Sequence, residues 1–320
     1  MRIIDVFNGD ADGLCALHQL RLSEPADAEL ITGPKREISL LRRVNARAGD
    51  RVTVLDIALS KNQPALDTLL EAGVHVRYFD HHQPGVIPQH PHFEAHIDTD
   101  AKTCSSLLVN RYLQGRYLVW AVVAAFGDNL ADSARQAAQP LALSSAQLAA
   151  LQSLGECLNY NGYGESLADL YFDPAELYRQ MRFYSDPFKF MDESAIYPVL
   201  KKGYEQDMVL ARNVAPTQTC TAGRIFMLPA EKWARRISGV FGNRLAVESS
   251  TQAHAVLTAK TEGGYVVSVR APIATPSGAD EVCSQFETGG GRRGAAGINH
   301  LPETELDRFI ALFFSTFTRS

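Results

Sequence analysis

The stretch Val74-His75-Val76-Arg77-Tyr78-Phe79-Asp80-His81-His82-Gln83-Pro84-Gly85 decides the fold. Its first six residues are β-branched and aromatic enough for a strand. The strand then delivers one carboxylate and two imidazoles, and Pro84-Gly85 closes the segment. Open α/β sheets bind their ligands outside the carboxyl ends of the strands. By itself, the stretch is explained equally well as a surface turn whose histidines only cap or solvate the strand end. Three other strand ends separate the two readings.

Ile3–Phe7 reads as a buried first strand that breaks at Asn8-Gly9-Asp10-Ala11-Asp12-Gly13, ahead of a helical segment from Leu14 to Leu22. A helix cap needs one aspartate. Two carboxylates this close repel unless protons or a cation neutralise them, so Asp10 and Asp12 lean towards a metal. Val52–Leu55 is a buried strand ending at Asp56, and Phe93–Ile97 is another, ending at Asp98. The apolar run Leu118–Phe126 ends at Gly127-Asp128-Asn129, where Asp128 is a costly charge without a cation. The segment after Pro34, with Lys35, Arg36, Arg42 and Arg43, reads as a surface helix, and Pro64 to Ala72 as a short helix. Strands alternating with helices imply a mainly parallel, doubly wound α/β sheet. Oxygen ligands with one imidazole suit Mn²⁺ or Mg²⁺ better than zinc or copper.

From Leu141 to Leu158 the chain is Ala/Leu/Gln-rich and helical, and an aromatic stretch follows. The strand-helix pattern restarts after Met208. Ala253–Ala259 and Tyr265–Val269 form a hairpin through Glu262-Gly263-Gly264. Gly289-Gly290-Gly291-Arg292-Arg293-Gly294-Ala295-Ala296-Gly297 lets backbone amides and guanidinium groups approach an anion. The competing reading is a flexible loop with solvated charges; the embedded alanines favour a packed anion site. Arg270 at the strand end is either a further anion ligand or a solvated charge.

The chain has 320 residues, enough for two domains, and a formal charge of −5, which argues against a long track for polymeric nucleic acid. The five cysteines are scattered with no C-x-x-C pair, so neither a zinc site nor a disulfide framework is expected. No apolar stretch is long enough for a membrane span and the start is no signal peptide, so the expected location is the cytoplasm.

Taken together, these motifs resemble the DHH/DHHA1 phosphoesterase superfamily. Asn8-Gly9-Asp10-Ala11-Asp12-Gly13, Leu55-Asp56, Asp80-His81-His82 and Gly127-Asp128-Asn129 are similar to its first four motifs, and the glycine-arginine run resembles the DHHA1 signature. They cover nearly the whole chain in the family's order. The resemblance implies a DHH domain over residues 1–185, a linker over 186–207, and a smaller α/β DHHA1 domain over 208–320, with the active site in the cleft between the domains. It implies two Mn²⁺ ions, Mg²⁺ being an alternative. Asp10 would hold one, Asp12 the other, and Asp56 both, with His81 and Asp128 completing the coordination of the second ion. His82 would contact the scissile phosphate and Asp80 would orient the histidines. Ser105, Arg270, Gly290, Gly291, Arg292, Arg293 and His300 would bind substrate. Two departures stand out. Asn8 falls where many relatives have a histidine, so it is a weaker ligand or holds a water. Arg292 replaces the usual histidine of the glycine run, keeping the anion role without titrating.

The activity implied is metal-dependent hydrolysis of short linear oligonucleotides, dinucleotides such as pGpG above all, to mononucleotides. A RecJ-like single-strand exonuclease and a pyrophosphatase or exopolyphosphatase are the alternatives, and a non-catalytic scaffold is the reading from another class. No long nucleic acid and no membrane are expected as partners, and a homodimer is compatible with the sequence.

Overall fold

The computed structural model describes residues 1–318. The chain divides into two compact units, Met1–Lys202 and the residues from Gly203 onward. The first unit begins with β1 (Ile3–Phe7), α1 (Ala11–Ser23), β2 (Glu29–Ile31), β3 (Arg51–Leu55), α2 (Leu59–Glu71), β4 (His75–Asp80) and β5 (Phe93–Ile97). Helices α3 (Ser105–Tyr112), α4 (Leu118–Gly127), α5 (Ala131–Ala138), α6 (Ser145–Gly162), α7 (Pro174–Met181) and α8 (Pro187–Glu193) follow. The division falls inside α9 (Ile196–Arg212), so the segment expected to link the domains is largely helical.

All five strands of the first sheet run parallel in the order β2-β1-β3-β4-β5. Ile4, Val6, Val52, Val54, Val76 and Tyr78 alternate onto one face and join Leu40, Leu59, Leu66 and Leu70 in a core. This period of two is what sends every second side chain to the same side. The apolar α4 packs among α1, α3, α5 and α6, which explains its uniform hydrophobicity. Asp5 points to the opposite face from Ile4, where the Arg21 guanidinium donates to both of its oxygens at 2.8 and 2.5 Å.

Two expectations change. The segment after Pro34 is a turn followed by a single 3₁₀ turn at Leu40–Arg43, not a surface helix. Its backbone is drawn inward: Lys35 N–H donates to the Gly162 carbonyl and Leu41 N–H to Asn62 Oδ1. Helix α2 starts at Leu59, ahead of Pro64, which lies inside it and supplies no amide donor.

The second unit contains β6 (Gln218–Thr219), β7 (Gly223–Leu228), α10 (Lys232–Glu248), β8 (Ala253–Ala259), β9 (Tyr265–Arg270), α11 (Ala279–Cys283), β10 (Gly289–Arg292), β11 (Ala295–Leu301) and α12 (Leu306–Thr318). Its mixed sheet has the order β10-β11-β9-β8-β7-β6, with only β7 and β8 parallel. The β8–β9 hairpin turns through Gly263 and Gly264, both at positive φ, as the sequence signal requires. Phe309, Phe313 and Phe317 of α12 fill one face of this sheet. Among the described residues, no helix is long and apolar enough to cross a membrane.

His18 of α1 is buried, its ring edge on Trp120 and its Nε2–H donating to the Tyr184 carbonyl at 2.8 Å. Burial lowers its pKa to about 4, with the Tyr184 bond partly opposing. The folded state therefore binds fewer protons than the unfolded one between pH 6.5 and 4. Stability from His18 is present above pH 6.5 and is lost as pH falls through that window, by up to ~1.4 kcal/mol per pH unit. Urea melts from pH 7 to pH 4 should show His18→Gln losing less stability than the unmodified protein. Parallel losses in the two would remove His18 from the acid response.

Candidate metal centre

The strand order reverses at β1, so the switch point of the sheet lies between β1 and β3. Asp10 and Asp12 follow β1, Asp56 follows β3, and Asp80, His81 and His82 end β4. Asp98 ends the edge strand β5 and lies outside the cluster; its carboxylate is partly exposed and takes a bond from Arg111 at 3.0 Å.

Both readings of Asp10 hold. Its Oδ1 caps α1, accepting from the amides of Asp12 and Gly13 at 3.0 and 3.1 Å. Its Oδ2 takes the Lys35 ammonium at 2.5 Å. Asp12 turns to the start of α3, where each oxygen accepts an amide at 2.7 Å, from Ser105 and Ser106. Asp56 has φ +58°, a left-handed conformation that costs roughly 1–2 kcal/mol for a residue with a Cβ. Its amide donates to the Phe79 carbonyl and its Oδ1 accepts from the Ser105 hydroxyl at 3.2 Å. Ser105 is therefore fully buried beneath the carboxylates.

His81 Nδ1 lies 2.9 Å from the Thr103 carbonyl, which can only accept, so Nδ1 carries the proton and Nε2 faces the carboxylates. Nε2 is 3.4 Å from Asp56 Oδ1 and 3.8 Å from Asp128 Oδ2. Asp128 arrives at the C-terminal end of α4 because Gly127 and Gly155 let helices touch. A Cβ on Gly127 would meet the Gly155 carbonyl at 2.8 Å and the Ala11 Cβ at 2.4 Å. His82 Nδ1 bonds Asp80 Oδ1 at 2.7 Å, and the same oxygen accepts the His81 amide. Asp80 is fully buried, whereas the His82 side chain is 39% exposed. Asn8 presents a buried Oδ1 with no hydrogen-bond partner.

The electrostatics follow from crowding. Burial is the largest influence on Asp56, and the charges of Asp10, Asp12 and Asp128 add to it, pushing its carboxyl well above the usual range despite His82. Asp12 is raised for the same reasons, burial first, against the pull of His81. Asp10 goes the other way: burial raises it, but the Lys35 charge and hydrogen bond hold it low. Burial disfavours protonated His82, yet the Asp80 bond and the charges of Asp80 and Asp56 hold its pKa above the ordinary value.

Ligand atoms of Asp56, His81 and His82 lie within 4.8 Å of one another. Asp128, whose buried Oδ2 has no hydrogen-bond partner and lies 3.8 Å from His81 Nε2, is a further oxygen donor beside Asp56 and His81. That donor set fits a hard divalent ion. Sequence reasoning missed Lys35, whose ammonium also lies 3.1 Å from Asn159 Oδ1 and 3.8 Å from Asp128 Oδ1. The one clue was its place directly after the strand preceding Pro34, and reading it needs the knowledge that β2 neighbours β1.

The expected anion residues lie in the second unit. The glycine-arginine run is a β-hairpin, β10 pairing β11 with Arg292 opposite Ala295. Gly291 has φ +147°, and a Cβ there would sit 2.4 Å from the Ala296 Cα, so the run needs its glycine. Gly290, Gly291, Arg292 and Arg293 are exposed near the hairpin turn. Arg292, Ala295, Arg270, His254 and Arg224 stand opposite one another across the sheet, a largely basic row. Arg270 is not a solvated strand end. It donates to Asn243 Oδ1 at 2.5 Å, Ser268 Oγ at 3.0 Å and the Val269 carbonyl. His300 lies five residues along β11 from Ala295, roughly 17 Å at the rise of a strand. The structure does not bring it to the arginines.

No family sequence model and no curated protein sequence matches the chain. Solved structures do. An exonuclease RecJ bound to manganese matches at 18% identity and TM-score 0.65, over 100% of this chain and 90% of its own. RecJ from Thermus thermophilus in complex with Mn²⁺ matches at 19% identity and TM-score 0.63, and this chain spans 52% of its length. A pGpG-specific phosphodiesterase, PggH from Vibrio cholerae, matches at 12% identity and TM-score 0.56, over 100% and 99% of the two chains. The chain has the fold of these proteins, the one that the DHH/DHHA1 resemblance implies.

Asp56→Asn keeps the hydroxyl bond from Ser105 and tolerates the left-handed backbone, but removes one of the crowded charges. The metal-free protein should be stabilised by about 1 kcal/mol in urea melts. The rise in Tm on adding Mn²⁺ should largely vanish. A destabilised metal-free variant would contradict this account of the crowding.

Proposed function

We propose that the chain is a divalent-metal-dependent phosphodiesterase that hydrolyses short linear nucleotides, with Mn²⁺ the preferred ion and linear dinucleotides such as pGpG the leading substrates. The observation that carries this reading is the convergence of Asp10, Asp12, Asp56, Asp128 and His81 at the switch point of a parallel sheet. The fold shared with Mn²⁺-bound RecJ and a pGpG-specific phosphodiesterase supports it.

A divalent ion, when bound, activates water and neutralises phosphate oxygens. Asp56, His81 and Asp128 would hold it, and Asp10, Asp12 and Asn8 would complete the polar surround. His82, partly exposed and kept protonated more readily by Asp80, donates to a non-bridging oxygen of the scissile phosphate. Asp80 acts through His82 and the His81 amide, fixing the pair. Ser105 serves beneath the site, positioning Asp12 and Asp56. In the second unit, Gly290, Gly291, Arg292 and Arg293 offer amides and guanidinium groups to a terminal phosphate. Arg270 and His300 contribute less, since one is tied to Asn243 and the other stands at the far end of β11.

A single-strand exonuclease is the second reading, favoured by the higher TM-scores to RecJ. The chain's charge of −5 disfavours a long strand track.

The deciding experiment is a Mn²⁺ panel of pGpG, pApA, longer RNA, single-stranded DNA, cyclic dinucleotides and pyrophosphate. Dinucleotides should turn over fastest, and Asp56→Ala should lower kcat by about 10³-fold or more. Arg292→Ala should weaken a 5′-phosphorylated dinucleotide by about tenfold and change one lacking that phosphate much less. Faster cleavage of long single strands would return the protein to the exonuclease reading; no metal-dependent turnover of any phosphoester would leave a scaffold.

A further inference from the structure

Resting on the metal reading of the cluster, we propose that Lys35 is a built-in counter-cation for Asp10. The centre then takes one divalent ion first, at the Asp56–His81–Asp128 corner, and admits a second at the Asp10 corner only by displacing the ammonium.

The lysine is held from several directions. Its amide donates to the Gly162 carbonyl at 2.8 Å, fixing the backbone beside the end of α6. Its ammonium reaches Asp10 Oδ2 at 2.5 Å and Asn159 Oδ1 at 3.1 Å, and stands 5.5 Å from the centre of the Tyr163 ring. The side chain is only 25% exposed. A cation with a carboxylate, an amide oxygen and an aromatic face around it is in a prepared site, not a solvated one.

Asp128 divides the cluster. Its Oδ1 faces the ammonium and its Oδ2 faces His81 Nε2, each at 3.8 Å. The His81 side offers Asp56, an imidazole nitrogen and an oxygen without a hydrogen-bond partner. The Asp10 side offers one oxygen spent on the helix cap and one on Lys35. Charge counting agrees. Four carboxylates against Lys35 and one divalent ion leave a single negative charge. A second ion with the ammonium in place reverses the sign, and only displacement of the lysine restores neutrality. The two loading steps are therefore unequal, and Lys35 is the cause.

Mn²⁺ binding tests this independently of turnover, by calorimetry together with the electron paramagnetic resonance signal of free Mn²⁺. The unmodified protein should bind its first ion at least about tenfold more tightly than its second, or bind one only. Lys35→Met should tighten the second step by about tenfold or more and gain more Tm from Mn²⁺ than the unmodified protein. Lys35→Arg should keep the steps apart. If Lys35→Met folds poorly, Asn159→Ala, which frees one side of the ammonium, should narrow the gap. Two equal steps in the unmodified protein, or substitutions that leave the isotherm unchanged, would overturn the assignment while leaving the phosphodiesterase reading intact. Absence of any Mn²⁺ binding would sink both.

Discussion

Mutual repulsion of buried carboxylates is the constraint on which the first unit depends. Asp10, Asp12 and Asp56 are buried and Asp128 is 16% exposed, and each reaches the cluster by a different device. Asp10 is the cap of α1, Asp12 rests on the amides that open α3, Asp56 occupies a left-handed turn, and Asp128 ends a helix admitted by two glycines. Helix starts carry partial positive charge and free amides, so two of the four are held by the backbone itself. The repulsion is thus tolerated by the same elements that define the sheet's loaded edge, and the fold cannot relax it without moving a helix.

The second unit solves a different problem, that of presenting cations on a mixed sheet. Pairing across strands sets Arg292, Arg270, His254 and Arg224 in one row, and residues directly opposite share a face. Deeper members of the row are tied down by local hydrogen bonds, as Arg270 is to Asn243 and Arg224 to Ser249. Exposure rises towards the hairpin end, where glycines keep the backbone accessible. The row therefore grades from structural to solvent-facing along one line.

Much of this was legible in the chain. The strands, their charged C-terminal ends and the Gly263-Gly264 turn followed from periodicity and turn chemistry, because those signals are local. What was not legible depends on neighbours distant in sequence. Lys35 looks like a solvated charge until β2 is set beside β1, and Asp98 looks like its fellow strand-end residues until β5 is placed at the sheet's edge, two strand spacings or roughly 10 Å beyond β3. Arg270 hides its tie to Asn243 for the same reason: 27 positions separate them. The glycine run carries no strand signature, since Gly and Arg are weak strand formers; pairing with Ala295–Leu301 overrides that weak preference.

Asp12 has a second consequence, in the history such a chain can have. Both its oxygens fasten α3 to the start of α1, whatever else the cluster holds. Were selection for chemistry relaxed, His81 and Asp128 could drift with little harm to the architecture, whereas losing Asp12 would leave two buried amides without acceptors. Asp12 would then be among the last of the acidic residues to disappear. Its persistence, like that of Asp10 at its helix cap, testifies first to the fold.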